Sequence, residues 1–332
     1  MKQILLVSLV LLLAVFLMPF IAMPDEPLLS GHAVVAEDGV PDVPGTTSSL
    51  EPPSPTPWNM GETPALPDKA PASSVSFDEN TYVTVNISGV ETELTLKEYL
   101  RGILAGETPA SFPEEALKAQ AVAARTFIMR KPDAVFCDDF AHCMAYSTNF
   151  DPRFDEAIAA TDGEILVYDG EPILAVFFST SSGKTENATD VWGGEYPYLV
   201  AVDSSGDEGA PRYIGTVTVM QDDFWKALGN LPRSDTPFGA INRSPSGGVL
   251  TIEISGTLIK GTEIRTLFGL NSTNFTVAMI NGDIVFETKG FGHGVGMSQY
   301  GARAMALEGA DYEQILTHYY TGARPERLEA AD

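Results

Sequence analysis

Residues 95–130 read TLKEYLRGILAGETPASFPEEALKAQAVAARTFIMR and predict two consecutive helices joined by a short turn. Thr95–Glu98 has the spacing of a capping box, in which each end residue bonds to the backbone of the other, and the helix that follows is expected to end near Gly106. Ser111–Glu114 forms a second such box, with a proline in the first turn of the next helix. That helix is alanine-rich and is expected to cover Glu114 to about Arg130.

The regions on either side contain both strand and helix patterns. Alternating residues at 81–87 predict a strand, and Asp-Gly at 169–170 and Asn-Gly at 281–282 each predict a hairpin between two apolar runs. Two more helices are expected at about 298–307 and 312–320. Because these elements follow one another without a regular strand–helix–strand repeat, the sequence predicts an α+β fold, with helices and antiparallel hairpins in one domain.

The predicted domain spans residues 80–325 and follows two segments of different character. Residues 1–23 are almost entirely apolar, with Lys2 as their charge, and at about 1.5 Å per residue they can span the roughly 30 Å hydrocarbon core of a membrane. They lack a good small-residue cleavage site, so we interpret them as a single-pass anchor that places the domain outside the cell membrane. Residues 24–79 are proline-rich and acidic, which predicts a disordered linker.

The charge balance restricts the kinds of partner. The chain has 20 Lys and Arg against 45 Asp and Glu, a net charge of -25 at pH 7. This argues against binding to nucleic acid, which needs a basic surface to displace counterions, and against electrostatic binding to anionic lipid. A neutral polymer such as a glycan remains compatible with so acidic a chain. Two cysteines in 332 residues are too few for a disulfide scaffold.

Glu107 lies in the turn between the two helices and is the candidate acid. A carboxyl group beside Gly106, in a mostly apolar loop, is expected to be partly desolvated, which raises its pKa and retains a proton near neutral pH. Such a group can protonate a leaving oxygen, although an ordinary loop or capping glutamate would look the same in sequence. Lys118 and Arg125 are seven residues apart on the second helix and so share a face, either as a solvated pair or as a basic patch.

Cys137 and Cys143 are separated by five residues, with His142 next to the second cysteine. Zinc needs four ligands, or three and a water, so these residues alone make an incomplete site, and a disulfide competes outside the cytoplasm. Adjacent side chains of an extended segment point to opposite sides, which disfavours His142 and Cys143 as joint ligands. The two cysteines are expected to lie close together. The residues alone do not decide whether they form a disulfide, bind zinc or remain free thiols.

Two polar strings contain the remaining candidates. STSSG at 179–183 follows an apolar run and precedes Trp192, and hydroxyl groups beside a flat aromatic ring suit sugar binding. A serine hydrolase that uses Ser181 and His293 is a weaker interpretation, because the G-x-S-x-G elbow is missing.

The second string, GFGHGVGMSQYGA at 290–302, places four alternate glycines around His293. Glycine lets the backbone adopt conformations that other residues avoid and approach a ligand closely, although such a loop can also be purely structural. Ser298 is expected to cap the helix that follows.

Taken together, these strings resemble the stage II sporulation protein D family over about residues 81–322. The resemblance is carried by two long strings, LRGILAGETPASFPEEALKAQAVAART at 100–126 and GHGVGMSQYG at 292–301. Shorter similar stretches lie at 179–192, 197–203 (PYLVAVD) and 315–322 (ILTHYYTG).

The resemblance implies a peptidoglycan lytic transglycosylase that acts during engulfment of the forespore. Such an enzyme cleaves the bond between N-acetylmuramic acid and N-acetylglucosamine to leave 1,6-anhydro ends, and its chemistry requires no cofactor. Its expected substrate is glycan strands already stripped of stem peptides by an amidase, stage II sporulation protein P, in a membrane complex that includes protein M. The rival interpretation is a non-catalytic, cell-wall-binding amidase enhancer, because some relatives are described in that way.

The resemblance also assigns roles to residues. The family's catalytic glutamate, in a Gly-Glu-Met-Pro motif, matches Glu107, with Thr108 in place of the methionine. The family's helix lysine and arginine match Lys118 and Arg125, which could hold the lactyl carboxylate of a peptide-free muramic residue. The other residues expected to contact substrate lie in the two polar strings and are Ser181, Ser182, His293, Ser298, Gln299 and Tyr300.

Structural zinc is implied by the resemblance but is doubtful in this sequence. The family's zinc-binding cysteines match Cys137 and Cys143. Its upstream histidine ligand is replaced by Lys131, whose protonated ammonium has no lone pair to offer. A zinc site would therefore need His142 or a distant side chain.

Overall fold

The computed structural model describes residues 75–138 and 143–330. Its helices are α1 (Phe77–Asn80), α2 (Leu96–Glu107), α3 (Glu114–Met129), α4 (Pro152–Ala160), α5 (Ala188–Trp192), α6 (Gln221–Ala227), α7 (Gly261–Phe268), α8 (Gln299–Leu307) and α9 (Tyr312–Tyr319). Its strands are β1 (Tyr82–Ile87), β2 (Val90–Thr95), β3 (Val135–Cys137), β4 (Glu164–Tyr168), β5 (Glu171–Pro172), β6 (Phe177–Phe178), β7 (Gly183–Lys184), β8 (Asp203–Ser204), β9 (Ile214–Val219), β10 (Phe238–Arg243), β11 (Val249–Ile254), β12 (Thr257–Lys260), β13 (Phe275–Ile280), β14 (Asp283–Lys289), β15 (Met297–Ser298) and β16 (Arg324–Arg327). Small, mostly antiparallel sheets alternate with helices, which confirms the predicted α+β fold.

The two helices around Glu107 form as predicted, but only the first has its predicted cap. The Thr95 hydroxyl accepts the backbone N–H of Glu98, and the Glu98 carboxylate accepts the N–H of Thr95, so this capping box is confirmed. The box predicted at Ser111–Glu114 is wrong, because α3 begins after Pro113 and no side chain caps it. Two glutamates in the first turn of α3 stabilise the positive end of the helix instead.

Both predicted hairpins are present. Asp169 and Gly170 have φ values of 52° and 84°, and Asn281 and Gly282 have values of 53° and 96°. Both residues of each turn are therefore in the left-handed region, as a two-residue type I′ turn requires. The first hairpin is shorter than expected: β5 ends at Pro172, which has no N–H to donate to a ladder. The next strand, β6, pairs with β15 in parallel and not with β4.

Helix α3 is the centre of the packing around the candidate acid. Ala119, Val122 and Ala123 lie on one side and belong to a core shared with β4, α8 and α9. Leu117 and Ile128 lie on the other side and belong to a core shared with α2 and α4. The alanines let neighbouring elements approach α3 closely, so that one helix joins the N-terminal and C-terminal parts of the fold.

Residues 214–289 pack around a core of their own. They form two antiparallel three-stranded sheets, in the orders β13-β14-β9 and β10-β11-β12, together with α6 and α7. Phe268 stacks on both Phe224 and Phe286, with ring centroids 5.2 Å apart in each pair. Apart from the hairpin at 281–282, the sequence patterns did not predict this unit.

The fold begins earlier than the sequence predicts. Phe77 and Asp78 fall within the predicted linker, residues 24–79, yet both are buried. Asp162 accepts the backbone N–H groups of Phe77 and Asp78 at 3.0 and 2.9 Å, which fixes the start of α1. The predicted boundary at residue 80 is therefore a few residues late.

The predicted anchor, residues 1–23, and the predicted linker up to residue 74 lie outside the described residues. Within 75–138 and 143–330, no helix is both long enough and apolar enough to cross a membrane.

Candidate active site

Glu107 is the last residue of α2, and two distant parts of the chain hold its carboxylate. Oε1 accepts the backbone N–H of Ala145 at 2.7 Å, and Oε2 accepts Nε2–H of Gln299 at 3.1 Å. Burial raises the pKa of the Glu107 carboxyl above its ordinary 4.5, and the two hydrogen bonds oppose that rise. The negative end of the helix also disfavours the charged form. Since the residue remains partly exposed, it is an oriented carboxyl group with a raised pKa that a ligand can reach.

Two glycines let the segment that contains Ala145 lie directly on α2. A Cβ atom at Gly102 would come within 2.0 Å of the Tyr146 ring, and one at Gly106 would come within 2.6 Å of the Ala145 carbonyl. The four-residue spacing puts both glycines on one face of the helix. Their missing side chains make room for the segment, which brings the Ala145 N–H to Glu107.

Replacing Gly106 by Ala is expected to impair the candidate acid. The new Cβ would displace the backbone at Ala145 and lengthen its hydrogen bond to Glu107, and misplacing a catalytic group by about 1 Å can cost roughly 10²-fold in rate. The measurement is glycan cleavage by the full chain. Gly209→Ala is the matched control, because a Cβ at Gly209 meets no atom within 4 Å. Equal rates for the two variants would contradict the role of this close contact.

Gln299 approaches Glu107 from the start of α8. Ser298 caps this helix, as predicted, by accepting an N–H of the first turn. Gln299 is itself buried, so its amide has a fixed position from which to donate to Glu107. The Tyr300 ring packs edge-on against Phe112, with centroids 5.1 Å apart. The structure thus brings Gln299 to the candidate acid, while the substrate contact expected of Tyr300 remains a prediction.

The hydroxyl groups of Ser181 and Ser298 make hydrogen bonds inside the protein. Both hydroxyls donate to the buried carboxylate of Asp207, at 2.5 and 2.8 Å, and the Ser204 hydroxyl donates to it at 2.9 Å. Burial raises the pKa of Asp207 to about 6, against the effect of these donors. Ser181 is 2% exposed and Ser298 0%, so the prediction that they contact substrate is wrong. Their shared carboxylate fixes the start of α8 and thereby the position of Gln299.

His293 is not paired with a serine. Its Nδ1 accepts the backbone N–H of Val295 at 3.1 Å, and its ring contacts Phe178 and Trp192, with centroids 5.6 and 5.2 Å apart. Burial lowers the pKa of His293 to about 4, so the imidazole is neutral at pH 7. Because the Ser181 hydroxyl is bonded elsewhere, this geometry contradicts the serine-hydrolase interpretation.

The glycines around His293 adopt the conformations expected of them. Their φ values are 78° at Gly290, 118° at Gly292, 83° at Gly294 and 77° at Gly296. A Cβ at Gly296 would also come within 2.1 Å of the carbonyl oxygen of Val176. The loop therefore packs closely against the backbone at Val176. Any residue other than glycine would be strained at these positions.

Ser182 and His293 lie at an open surface depression, here called the lysine depression. The residues that line it are Phe178, Thr180, Ser181, Ser182, Lys184, Glu186, Ser272, Thr273, Asn274, Lys289, Gly292, His293 and Gly294. The Ser182 hydroxyl oxygen accepts from Nδ2 of Asn274 at 2.9 Å. This contact joins the 179–183 string to the 214–289 unit.

Arg125 does not form a basic face with Lys118. Its Nε and Nη2 bond to the Asp78 carboxylate at 2.8 and 2.5 Å, and its Nη1 donates to the carbonyl of Glu164 at 3.0 Å. The side chains of Arg125 and Asp78 are 0% and 1% exposed. The prediction that Arg125 binds substrate is therefore wrong, because its guanidinium is buried and forms an ion pair with Asp78.

Lys118 is at the surface but already has two acidic partners. Its Nζ lies 2.6 Å from Glu114 and 2.9 Å from Glu115, and its side chain is 15% exposed. A ligand carboxylate would have to compete with both glutamates. The substrate contact expected of Lys118 remains a prediction.

The two cysteines lie close together, as predicted. The sulfur atoms of Cys137 and Cys143 are 3.0 Å apart, whereas two thiolates on a tetrahedral zinc, each at about 2.3 Å, would be about 3.8 Å apart. Among the described residues, no group of three or more His, Cys, Asp and Glu side chains could hold a metal ion. His142 lies outside the described residues. The described cysteines supply two sulfur ligands, which do not make a complete zinc site, and zinc binding stays a prediction.

Comparison with known proteins gives the family of this chain. A family profile described as "SpoIID: Stage II sporulation protein" matches residues 86–168, which include Glu107. Stage II sporulation protein D of Bacillus subtilis (strain 168) is 39% identical over 282 residues, covering 78% of this chain and 81% of that protein. Its counterpart in Bacillus amyloliquefaciens is 39% identical over 301 residues, covering 84% and 86%.

A more distant relative has a different description. The "Amidase enhancer" of Bacillus subtilis (strain 168) is 28% identical over 281 residues, which cover 67% of this chain and 39% of that protein. Both sporulation proteins are more similar and match over most of their own length. This chain therefore belongs to the stage II sporulation protein D family.

Proposed function

We propose that this chain is a peptidoglycan lytic transglycosylase in which Glu107 is the single catalytic residue. The observation that carries the proposal is the Glu107 carboxyl itself, which is partly buried, raised in pKa and oriented by Ala145 and Gln299. Family membership supports a role in sporulation, and the name of the amidase-enhancer relative supports a connection with the cell wall.

In the first step, Glu107 acts as a general acid. It donates its proton to the glycosidic oxygen between C1 of N-acetylmuramic acid and the following N-acetylglucosamine. The bond from C1 to that oxygen breaks, and positive charge develops on the muramic ring. The N–H of Ala145 and the amide of Gln299 stabilise the carboxylate that remains, because hydrogen bonds to a charged acceptor are stronger than those to a neutral one.

In the second step, the same carboxylate acts as a base. It accepts the proton of the muramic C6 hydroxyl while the C6 oxygen bonds to C1 and closes a 1,6-anhydro ring. Glu107 is protonated again, and no water is consumed. One carboxyl group is enough, in contrast to the two carboxylates of most glycoside hydrolases.

The proposal includes a location and partners. Residues 1–23 would anchor the chain in the cell membrane, with the folded domain on the outer side, where it reaches the glycan strands. The partners would be the amidase stage II sporulation protein P, which removes stem peptides, and protein M. No cofactor takes part in the two steps.

The proposal is tested by the products formed from purified glycan strands. We expect the full chain to release fragments with 1,6-anhydro ends, which lack a reducible terminus and are lighter by one water than hydrolysis products, as mass spectrometry will show. Strands treated with an amidase should be cleaved at least tenfold faster than intact peptidoglycan. Hydrolysed, reducible ends would contradict the transglycosylase, and equal rates on the two substrates would contradict the peptide-free specificity.

The competing function is that of an amidase enhancer, as one relative is named. An enhancer would raise the rate of a cell-wall amidase without forming anhydro ends. The oriented carboxyl of Glu107 favours the enzyme, because binding alone does not require a carboxyl group with a raised pKa at this position.

A further inference from the structure

The lysine depression is built from three separated stretches of chain. Residues 178–186 form one wall, 272–274 another, and the remainder comes from Lys289 and the loop 292–294. The bond between Ser182 and Asn274 holds the first two walls together. The backbone N–H of Glu186 donates to the carbonyl of Gly294 at 2.7 Å, which ties the first wall to the loop. The depression is thus fixed by long-range contacts.

Its charge differs from that of the chain as a whole. The protein carries a net charge of -25, yet Lys184 and Lys289 both line the depression. The structure gives neither lysine a carboxylate partner among the described residues, in contrast to Lys118 with its two glutamates. Burial raises the pKa of the Glu186 carboxyl, which also lines the depression. An anionic group is therefore favoured at this point of an acidic surface.

Glu186 is part of the lining, but its carboxyl group is buried. The residue is 6% exposed, and its Oε1 accepts the N–H of Gly248 at 3.0 Å. Its Oε2 is buried as well, and no hydrogen bond to it is found within the described part of the chain. The carboxyl group therefore offers a ligand little surface.

An aromatic surface lies next to the depression. Trp192 is 45% exposed, and its ring centroid is 5.2 Å from that of His293 in the lining. A flat indole ring suits the apolar face of a sugar. Two cations and an exposed indole together describe a receptor for an acidic sugar.

The depression is close enough to Glu107 to bind the same glycan strand. Gly294 and Gln299 are five residues apart in the chain, so their Cα atoms are separated by at most about 18 Å. Gln299 donates directly to Glu107. A strand of a few sugar rings can cover this distance.

We infer that the lysine depression is a subsite for a peptide-free N-acetylmuramic acid residue, whose lactyl carboxylate is bound by Lys184 and Lys289. The sugar ring lies near Trp192. This inference rests on the proposed function and places carboxylate recognition away from Arg125, which is buried. In intact peptidoglycan the lactyl carboxylate is an amide, so the site also provides a reason for preferring stripped strands.

The test uses single sugars, which are bound but not cleaved. N-acetylmuramic acid and N-acetylglucosamine differ in the lactyl ether with its carboxylate, and ligand-observed NMR titration gives a dissociation constant for each with the full chain. We expect N-acetylmuramic acid to bind about tenfold more tightly. Lys184→Gln and Lys289→Gln should each weaken its binding about tenfold and leave the binding of N-acetylglucosamine unchanged.

Lys226→Gln is the matched control, because Lys226 is an exposed lysine that does not line the depression. It should bind both sugars as the unaltered chain does, and unchanged thermal unfolding will confirm that all variants are folded. Equal binding of the two sugars by the unaltered chain would overturn the inference, as would lysine variants that keep the preference. If the unaltered chain bound N-acetylmuramic acid more tightly but formed no anhydro products, that result would contradict the proposed catalysis and leave the inference about the depression standing.

Discussion

Replacing Glu107 by Gln is expected to lower glycan cleavage by about 10²–10⁴-fold, the usual contribution of a general acid or base. The amide has the shape of the carboxyl group but cannot donate a proton to the glycosidic oxygen and then recover one from the C6 hydroxyl. Its oxygen can still accept the Ala145 N–H, and its NH₂ can donate to Gln299 if that amide turns over, so the fold should remain intact. The measurement is the initial rate of formation of anhydro ends.

The same variant has an expected effect on stability. The raised pKa of Glu107 means that the folded state favours the neutral form. This preference contributes to the unfolding free energy of the protein. The contribution is fully present below the ordinary pKa of 4.5 and is lost as the pH rises through the raised pKa. Gln stays neutral, so at pH 7 its unfolding temperature should equal or exceed that of the unaltered chain. Activity of the unaltered chain should fall over the same pH range, because the acid loses its proton.

Glu156→Gln is the matched control, since Glu156 is an exposed glutamate on α4. It should retain full activity. A Glu107→Gln variant with half of the original turnover would remove Glu107 from the mechanism. A variant that is inactive because it is unfolded would be recognised by its circular dichroism, in which case Glu107→Ala and Gln299→Leu would serve as further tests of the same contacts.

The second large effect is expected for Asp78→Asn, which leaves the guanidinium of Arg125 buried and without its counter-ion. Removing one partner of a buried ion pair typically costs about 3–5 kcal/mol of unfolding free energy. The pair is fully enclosed and connects α1 to α3, so the loss should be near the upper end of that range. The measurement is denaturant-induced unfolding of the full chain at pH 7.

The control is the same substitution in an exposed pair. Asp222 bonds to Arg233 at 2.6 Å, but these side chains are 84% and 62% exposed, and exposed pairs contribute about 0–1 kcal/mol. Asp222→Asn should therefore be nearly neutral. If Asp78→Asn destabilised the protein no more than Asp222→Asn, the structural role of Arg125 would be refuted. If Arg125→Met lost glycan binding at unchanged stability, the original substrate-binding prediction would be restored.

The parts of the structure that could be predicted from sequence are those with local causes. The capping box at Thr95, the two hairpin turns and the cap at Ser298 depend on residues within a few positions of one another, and all were found. Helix signals on both sides placed Glu107 in a turn, and the structure makes it the last residue of α2; its catalytic role, which came from the family resemblance, stays a prediction.

The parts that could not be predicted depend on distant partners. Nothing in the acidic run around Asp78 shows that this carboxylate will meet Arg125, which lies 47 residues away. Arg125 was therefore predicted to be a surface cation. The spacing of Lys118 and Arg125 shows that they share a face of α3, but it does not show whether that face is covered by the rest of the protein. Ala145 contributes a backbone group and has no sequence signature, although the spacing of Gly102 and Gly106 was a usable sign that another segment crosses α2 closely.

The two-sided burial of α3 has a consequence for how the chain reaches its folded state. A nascent chain that ended at Tyr168 would contain the whole segment matched by the family profile. Ala119, Val122 and Ala123 would then be covered by β4 alone, because α8 and α9 would still be missing. Strand β4 would also lack β16, its partner near the C-terminus. Such late closure of non-local contacts slows folding, so synthesis should be nearly finished before the domain can become stable. The segment matched by the family profile thus contains only part of the core around α3, and alone it would persist only as a protease-sensitive fragment with exposed apolar side chains.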